Sequence, residues 1–362
     1  MDELVELTTE LVSIPSHEDE TAAGDAIEGW LKRETDATVE RDRAGNVIAR
    51  RSAERTGAEP DADLALVGHH DVVPPATDQT HGDDYVVDRR GGRLYGRGTA
   101  DMKGAVAAAM LAFRDADPSI DLVFASFVGE EVGGTGARAA IEDGFAPTYA
   151  IVGEGSTNYS KPGVTDVVVA HRGRRASTLL ARGTAAHASR PEVGENAIYC
   201  ACDAIEIVRG LEAPTATVFD EPIEGSVVVT EIDGGETWNV IPDECTVTID
   251  ERTVPRGRAE LERVESIDGV EWTVEQDLPP MACDDDAFAE TVLESAVAAQ
   301  ANTPEFVTKP HATDAGWLAR NGTACVICGP AEPGEAHTDA ESVSIEVLER
   351  CYRIYRNASE SM

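Results

Sequence analysis

Three apolar runs in this chain each end in acids or histidines, and that pattern constrains the fold more than any other feature. Residues 64–67 lead into His69-His70-Asp71, residues 122–128 into Glu130-Glu131, and residues 149–152 into Glu154. Runs that are apolar on both faces suit strands of a largely buried sheet. Between the first two runs, residues 103–115 are alanine-rich and read as a helix. Strands alternating with helices predict an α/β layered sheet. In open α/β sheets, sites form beyond the carboxyl ends of the strands. Three separate strands therefore deliver candidate ligands to one edge.

The flanking elements follow from the same patterning. Residues 2–12 form a helix with Leu4, Leu7 and Leu11 on one face, and residues 18–35 a second helix. Residues 46–49 form a strand and the polar stretch 52–63 a surface loop. From about Thr165 the texture changes. Residues 166–181, 226–232, 245–249 and 270–274 are strand-like, and residues 195–211 and 258–264 helical. That order makes an inserted, ferredoxin-like α+β unit over 166–283. Residues 1–165 and 284–362 then form the larger domain, which resumes with a helix (284–300), a strand (323–327) and a closing helix (344–357).

Charge excludes some functions. Sixty-eight acidic residues oppose 30 basic ones, for a net charge of −38. Phosphate binding needs a basic stripe, and the sequence has none, so nucleic acid is excluded as a partner. So much self-repulsion destabilises a compact chain, but molar salt shortens the Debye length to about 3 Å and removes most of that cost. A salt-rich, halophilic cytoplasm is the expected setting; a chain acidic for solubility alone is the alternative. Residues 1–10 lack the apolar segment of a signal peptide, and residues 105–113 are too short to span a bilayer. Seven cysteines at irregular spacing fit a reducing compartment rather than a disulfide framework. Cys325 and Cys328 form C-x-x-C, but no second pair completes a site, and a buried strand accounts for them.

The candidate chemistry is metal-assisted. His69, Asp101, Glu131, Glu154 and His337 offer nitrogen and oxygen donors that suit zinc and harder divalent ions. Asp71 and Glu130 lie beside them. His70 competes with His69, because neighbouring strand residues point to opposite faces. Of the pair Glu130-Glu131, one could bind metal while the other serves as a general base. The glycines of G-R-G-T-A-D-M-K-G (96–104) do not have the phosphate-loop spacing.

At these residues the chain resembles a family, the co-catalytic zinc amidohydrolases. Succinyl-diaminopimelate desuccinylase, acetylornithine deacetylase, aminoacylase and glutamate carboxypeptidase belong to it. The matching stretches are G-H-H-D-V-V-P-P (68–75), L-Y-G-R-G-T-A-D-M-K-G (94–104), F-V-G-E-E-V-G-G-T-G (127–136), V-G-E-G-S (152–156) and A-H-T-D-A-E (336–341). H-R-G (171–173), G-T-A-A-H-A-S-R-P (183–191) and W-N-V-I-P-D-E-C (238–245) also fit. The resemblance implies a three-layer catalytic domain with a mixed sheet, and makes 166–283 a lid and dimerisation domain. It implies two divalent ions, zinc by family habit, with cobalt or manganese suited to the same donors. His69 and Glu154 would bind one ion and Glu131 and His337 the other. Asp101 would bridge them ahead of a cis peptide bond.

By the same resemblance Glu130 is the general base and acid, and Asp71 orients His69. His187 reaches the partner's active site in a homodimer. Arg172, Asn239, Arg252 and Thr313 contact the substrate. Glu at position 154 marks the deacylase and carboxypeptidase branches, where aminopeptidases and dipeptidases carry Asp. The chain therefore looks like an acyl-amino-acid hydrolase, and because G-H-H-D-V-V-P-P and H-R-G look closest to the desuccinylases, N-succinyl-L,L-diaminopimelate, a lysine precursor, is the expected substrate. Acetylornithine or another N-acyl amino acid is the alternative, because residues 309–316 depart from the desuccinylases' glycine-rich loop.

Overall fold

The computed structural model describes residues 2–53, 62–82 and 84–362. The 52–63 stretch, read as a surface loop, lies mostly outside the described residues. The chain divides into two compact units. The larger comprises Met1–Ala170, Met281–Lys309 and Thr313–Met362, the smaller His171–Pro280 and Pro310–Ala312.

A mixed sheet organises the larger unit. Its order is Thr38–Arg41, Val47–Arg51, Asp121–Phe127, Asp63–His69, Tyr149–Val152, Ala324–Ile327, Val167–His171 and Met281–Ala282, with Phe306–Lys309 paired to Val167–His171. The four central strands are parallel: Asp63–His69 pairs in parallel with both Asp121–Phe127 and Tyr149–Val152, and Tyr149–Val152 with Ala324–Ile327. Strand residues alternate between faces. Ala65, Val67, Val123, Ala125, Phe127, Ala150 and Val152 pack on one face with Ala137 and Ala140 of the helix Thr135–Glu142 and Ala315 and Leu318 of Asp314–Arg320. The opposite-parity residues Leu64, Leu66, Leu122, Phe124 and Ile151 are also buried. The helix Gly104–Asp115 lies against these strands and against the helices Ile345–Ser361 and Asp2–Ser13. Burial on both faces explains why these strands read as continuous apolar runs rather than alternating ones.

The smaller unit has a four-stranded antiparallel sheet in the order Ser226–Gly234, Glu244–Arg252, Arg174–Arg182, Val270–Leu278. The helix Ala197–Arg209 packs on it through Ala197, Ala201, Ala204 and Val208. Two details differ from the sequence reading. Residues 166–181 are two strands, Val167–His171 and Arg174–Arg182, and the first belongs to the larger sheet through its pairing with Ala324–Ile327. Residues 258–264 do not form a regular helix; a short 3₁₀ turn, Leu261–Ser266, stands there. A buried ion pair holds the start of this stretch. Arg175 Nε lies 2.5 Å from Glu251 Oε2, Arg175 donates to Ala259 O at 3.0 Å, and Glu251 Oε1 accepts from Ala259 N at 2.6 Å. The Ala259 carbonyl is thus taken by Arg175, while its N–H, a donor that the first turn of a helix leaves free in any case, is met by Glu251. Among the described residues, no helix is long and apolar enough to cross a membrane.

Candidate metal centre

Because the central strands are parallel, their carboxyl ends lie on one edge. His69 closes Asp63–His69, Glu130 and Glu131 follow Asp121–Phe127, and Glu154 follows Tyr149–Val152. Asp101 arrives from the turn Thr99–Lys103, before the helix Gly104–Asp115, and its peptide bond to Met102 is cis. Two glycines make this approach possible. A Cβ on Gly68 would stand 2.8 Å from Val106 and 2.9 Å from Met102, and one on Gly98, at φ +84°, 2.8 Å from Val72. His337 sits in a loop at φ +66°, a conformation uncommon outside glycine.

Asp101 joins two clusters of ligand-type atoms. His69, Asp101 and Glu154 offer one set and Asp101, Glu131 and His337 the other, with the atoms of each set within 4.8 Å of one another. His69 Nε2 lies 3.2 Å from Asp101 Oδ1 and 3.6 Å from Glu154 Oε1. His337 Nε2 lies 3.1 Å from Asp101 Oδ2 and 2.9 Å from Glu131 Oε1. His69 Nδ1 is 3.0 Å from the Asp71 carbonyl oxygen, a contact that leaves Nε2 facing the carboxylates. Asp71 Oδ2 also accepts from Glu131 N at 3.0 Å, so Asp71 touches elements of both clusters.

His70 turns away. Its Nδ1 lies 2.8 Å from Ser126 Oγ, it is fully buried, and that burial pushes its imidazole down to about 3. Of the two histidines, His69 is the one that belongs to a cluster of ligand-type atoms.

The electrostatics of the cluster suit cations. Burial opposes charge on His69, but Asp71, Asp101 and Glu154 outweigh it and hold its imidazole well above the usual value. Hydrogen bonds to Asp101 and Glu131 push His337 up to about 10. Burial would raise Asp101, yet His337 and His69 drive it below the usual carboxylate range. The carboxylates thus favour positive charge at both imidazole positions. Three carboxylates and two imidazoles match two divalent cations in donor type and nearly in charge. Glu130 is the contrasting group. Burial raises its carboxyl well above the ordinary value, and Asp314, Glu154 and Asp101 add to this against the pull of His69.

Several neighbours carried no role in the sequence reading. Glu341, at the end of A-H-T-D-A-E, is 1% exposed. Its Oε1 accepts from Ala100 N at 3.0 Å and Asp101 N at 3.2 Å, and its Oε2 lies 2.5 Å from Arg97. Lys309 is buried, with Nζ 3.2 Å from Glu154 Oε2 and 3.0 Å from Gly155 O. Asp314 is buried with neither carboxylate oxygen hydrogen-bonded, and burial raises it to about 8. Lys309 and Asp314 both lie in the 309–316 stretch, and its departure from the desuccinylase pattern was their only signal.

The remaining sequence candidates are not members of these two clusters. Thr313 is buried, and its Oγ1 caps the helix Asp314–Arg320 by accepting from Ala315 N at 3.2 Å. His187, Arg172, Asn239 and Arg252 belong to the smaller unit. There His187 is exposed with Nδ1 2.7 Å from Ser189 Oγ, Asn239 O accepts from Ala188 N, and Arg252 Nε lies 2.7 Å from Asp250 Oδ1.

Comparison with known proteins agrees with this geometry. The profile of Peptidase family M20/M25/M40 matches residues 65–361. The chain is 30% identical to an acetylornithine deacetylase from Myxococcus xanthus over 86% of its own length and 83% of the relative's. It is 29% identical to a succinyl-diaminopimelate desuccinylase from Acidiphilium cryptum (strain JF-5), over 86% and 84%. The crystal structure of aminopeptidase PepT from Bacillus cereus ATCC 10987 has the same fold, with a TM-score of 0.79, 21% identity and 99% of each chain covered. The chain belongs to peptidase family M20/M25/M40 and is an enzyme of its metal-dependent peptidase and amidohydrolase class.

Proposed function

We propose that this enzyme hydrolyses the amide bond of N-acyl amino acids at two divalent metal ions, with N-succinyl-L,L-diaminopimelate as its preferred substrate. The observation that carries the reading is Asp101, whose two oxygens face two separate imidazoles. In this reading His69 and Glu154 would hold one ion, Glu131 and His337 the other, and Asp101 would serve both. Bound there, zinc, cobalt or manganese would supply Lewis acidity and acidify water.

The protein's own groups do the rest. Asp71 keeps His69 in the tautomer whose Nε2 can ligate. Glu130, made basic by burial and neighbouring carboxylates, removes the proton from the attacking water. The water oxygen bonds to the amide carbon, the C–N bond breaks, and Glu130 returns the proton to the departing amine. His187, supplied across a homodimer, donates to the oxygen that gains charge. Arg172, Asn239, Arg252 and Thr313 contact the substrate, the arginines pairing with its carboxylates. The carboxylate surplus supports a salt-rich cytoplasm as the working environment.

A second substrate has its own support. The 30% identical relative is an acetylornithine deacetylase, and residues 309–316 depart from the desuccinylase loop. Steady-state hydrolysis of N-succinyl-L,L-diaminopimelate and N-acetylornithine, in molar potassium chloride with zinc or cobalt and a chelator control, separates the two. A higher kcat/KM for the succinyl substrate, lost on chelation, is the expected result. Preference for the acetyl substrate would replace the substrate assignment and leave the site intact.

A further inference from the structure

We propose that Arg93 is the positioning residue for His337: it clamps both limbs of the loop that presents this imidazole to Asp101 and Glu131. The inference rests on the metal-centre reading above. The downstream limb is fixed by backbone pairing, for Ser342–Ser344 lies antiparallel to Arg93–Tyr95, with Ser344 opposite Arg93. The Arg93 side chain secures the same limb again. Its Nε lies 3.0 Å from Ser342 Oγ, and a terminal nitrogen donates to Ser342 O at 3.2 Å.

The same guanidinium then spans to the upstream limb, where it pairs with Glu332 at 3.1 Å and with Glu335. Glu335 lies two residues before His337, and its carboxylate also accepts from Glu332 N at 3.2 Å. One planar, five-donor group thereby ties together residues on either side of His337, which a lysine's point charge cannot do.

The loop needs such a tie. His337 holds φ +66° and its side chain is half exposed, so packing does not fix it. An uncommon backbone conformation persists only where its surroundings enforce it. Glu154 and His69, by contrast, sit at the ends of buried strands and need no equivalent clamp. The two halves of the centre therefore depend on different parts of the protein. Loss of Arg93 should weaken the Glu131/His337 half and spare the His69/Glu154 half. Arg93 also lines a cavity of about 510 Å³ together with Glu332, Ser344, Arg350 and Arg353. A small guanidinium ion can enter that space and replace the missing group.

The test is titration of metal-free protein with cobalt(II), read by calorimetry and by the visible absorption of the bound ion. Wild type should take up two equivalents. Arg93→Ala should bind the first as wild type does and the second about 10–100-fold more weakly, the range for residues that orient a ligand. Its one-equivalent spectrum should match that of His337→Ala, added guanidinium should restore the second step, and Arg93→Lys should fall between. If Arg93→Ala fails to fold, Glu335→Gln takes its place and should show the same selective loss. Two equivalents bound at wild-type affinity by the folded variant, or equal weakening of both, would overturn the clamp. Wild-type protein that takes up no cobalt would instead remove the metal centre on which the clamp rests.

Discussion

Glu341 holds the backbone of Asp101: its buried Oε1 accepts the Asp101 N–H at 3.2 Å. The residue whose carboxylate joins both clusters is thus fixed by a second carboxylate, itself anchored by Arg97 at 2.5 Å. Replacing Glu341 with alanine leaves a buried guanidinium and two N–H groups unpaired. Breaking a buried pair in this way costs about 3–5 kcal/mol. Urea unfolding of the metal-free variant should show a loss of that size, and the folded variant should bind both ions less tightly. Stability equal to wild type would mean that Glu341 supports nothing.

Glu130 lies outside both clusters, yet burial and the neighbouring acids raise its carboxyl. Glu130→Gln should reduce kcat by about 10²–10⁴-fold, the usual range for a general acid–base group. Metal content measured by atomic absorption should stay at the wild-type level. If turnover and metal disappeared together, Glu130 would be a ligand rather than the base.

Lys309 approaches the Glu154 oxygen that does not face His69. A cation there competes with a metal ion for the same carboxylate. Lys309→Met should destabilise the metal-free protein, because Glu154 is left buried without its partner. It should also tighten binding of one ion by roughly tenfold. Calorimetric titration of the metal-free variant checks the sign, and weaker binding would show that Lys309 helps to build the site.

His70 gives a pH signature. Its folded imidazole is pushed down to about 3, whereas the unfolded group titrates near 6.5. The unfolded chain therefore binds more protons between those values. The stability tied to neutral His70 is complete above about pH 6.5 and drains away as pH falls toward 3. Between about pH 7.5 and 5.5, the metal-free wild type should lose about 1.4 kcal/mol more stability than His70→Gln. Equal losses in urea unfolding would show that His70 is not held neutral.

Much of the larger unit was legible because its strands are buried on both faces and its ligands follow directly from strand ends. His69, Glu131 and Glu154 sit beside the apolar runs that place them, and Lys103–Asp115 differs from the observed helix by one residue. Residues that act across long sequence separations were not legible. Lys309 meets Glu154 from 155 residues away and Glu341 meets Asp101 from 240. No local periodicity records either contact. The helix Asp314–Arg320 is seven residues long, too short for its pattern to stand out, and the hairpin Thr215–Val218 with Glu221–Glu224 has the mixed polarity of a surface element. In the stretch read as a helix at 258–264, Arg175 takes the Ala259 carbonyl from 84 residues away, a contact that local periodicity does not record.

The central claim is that one carboxylate, Asp101, serves two ions at once. Metal stoichiometry after reconstitution with zinc and gel filtration, across four proteins, tests it most directly. Wild type should retain two ions per chain, His69→Ala and His337→Ala one each, and Asp101→Ala neither at wild-type affinity. A folded Asp101→Ala that kept two ions, or a wild type that held only one, would contradict the account.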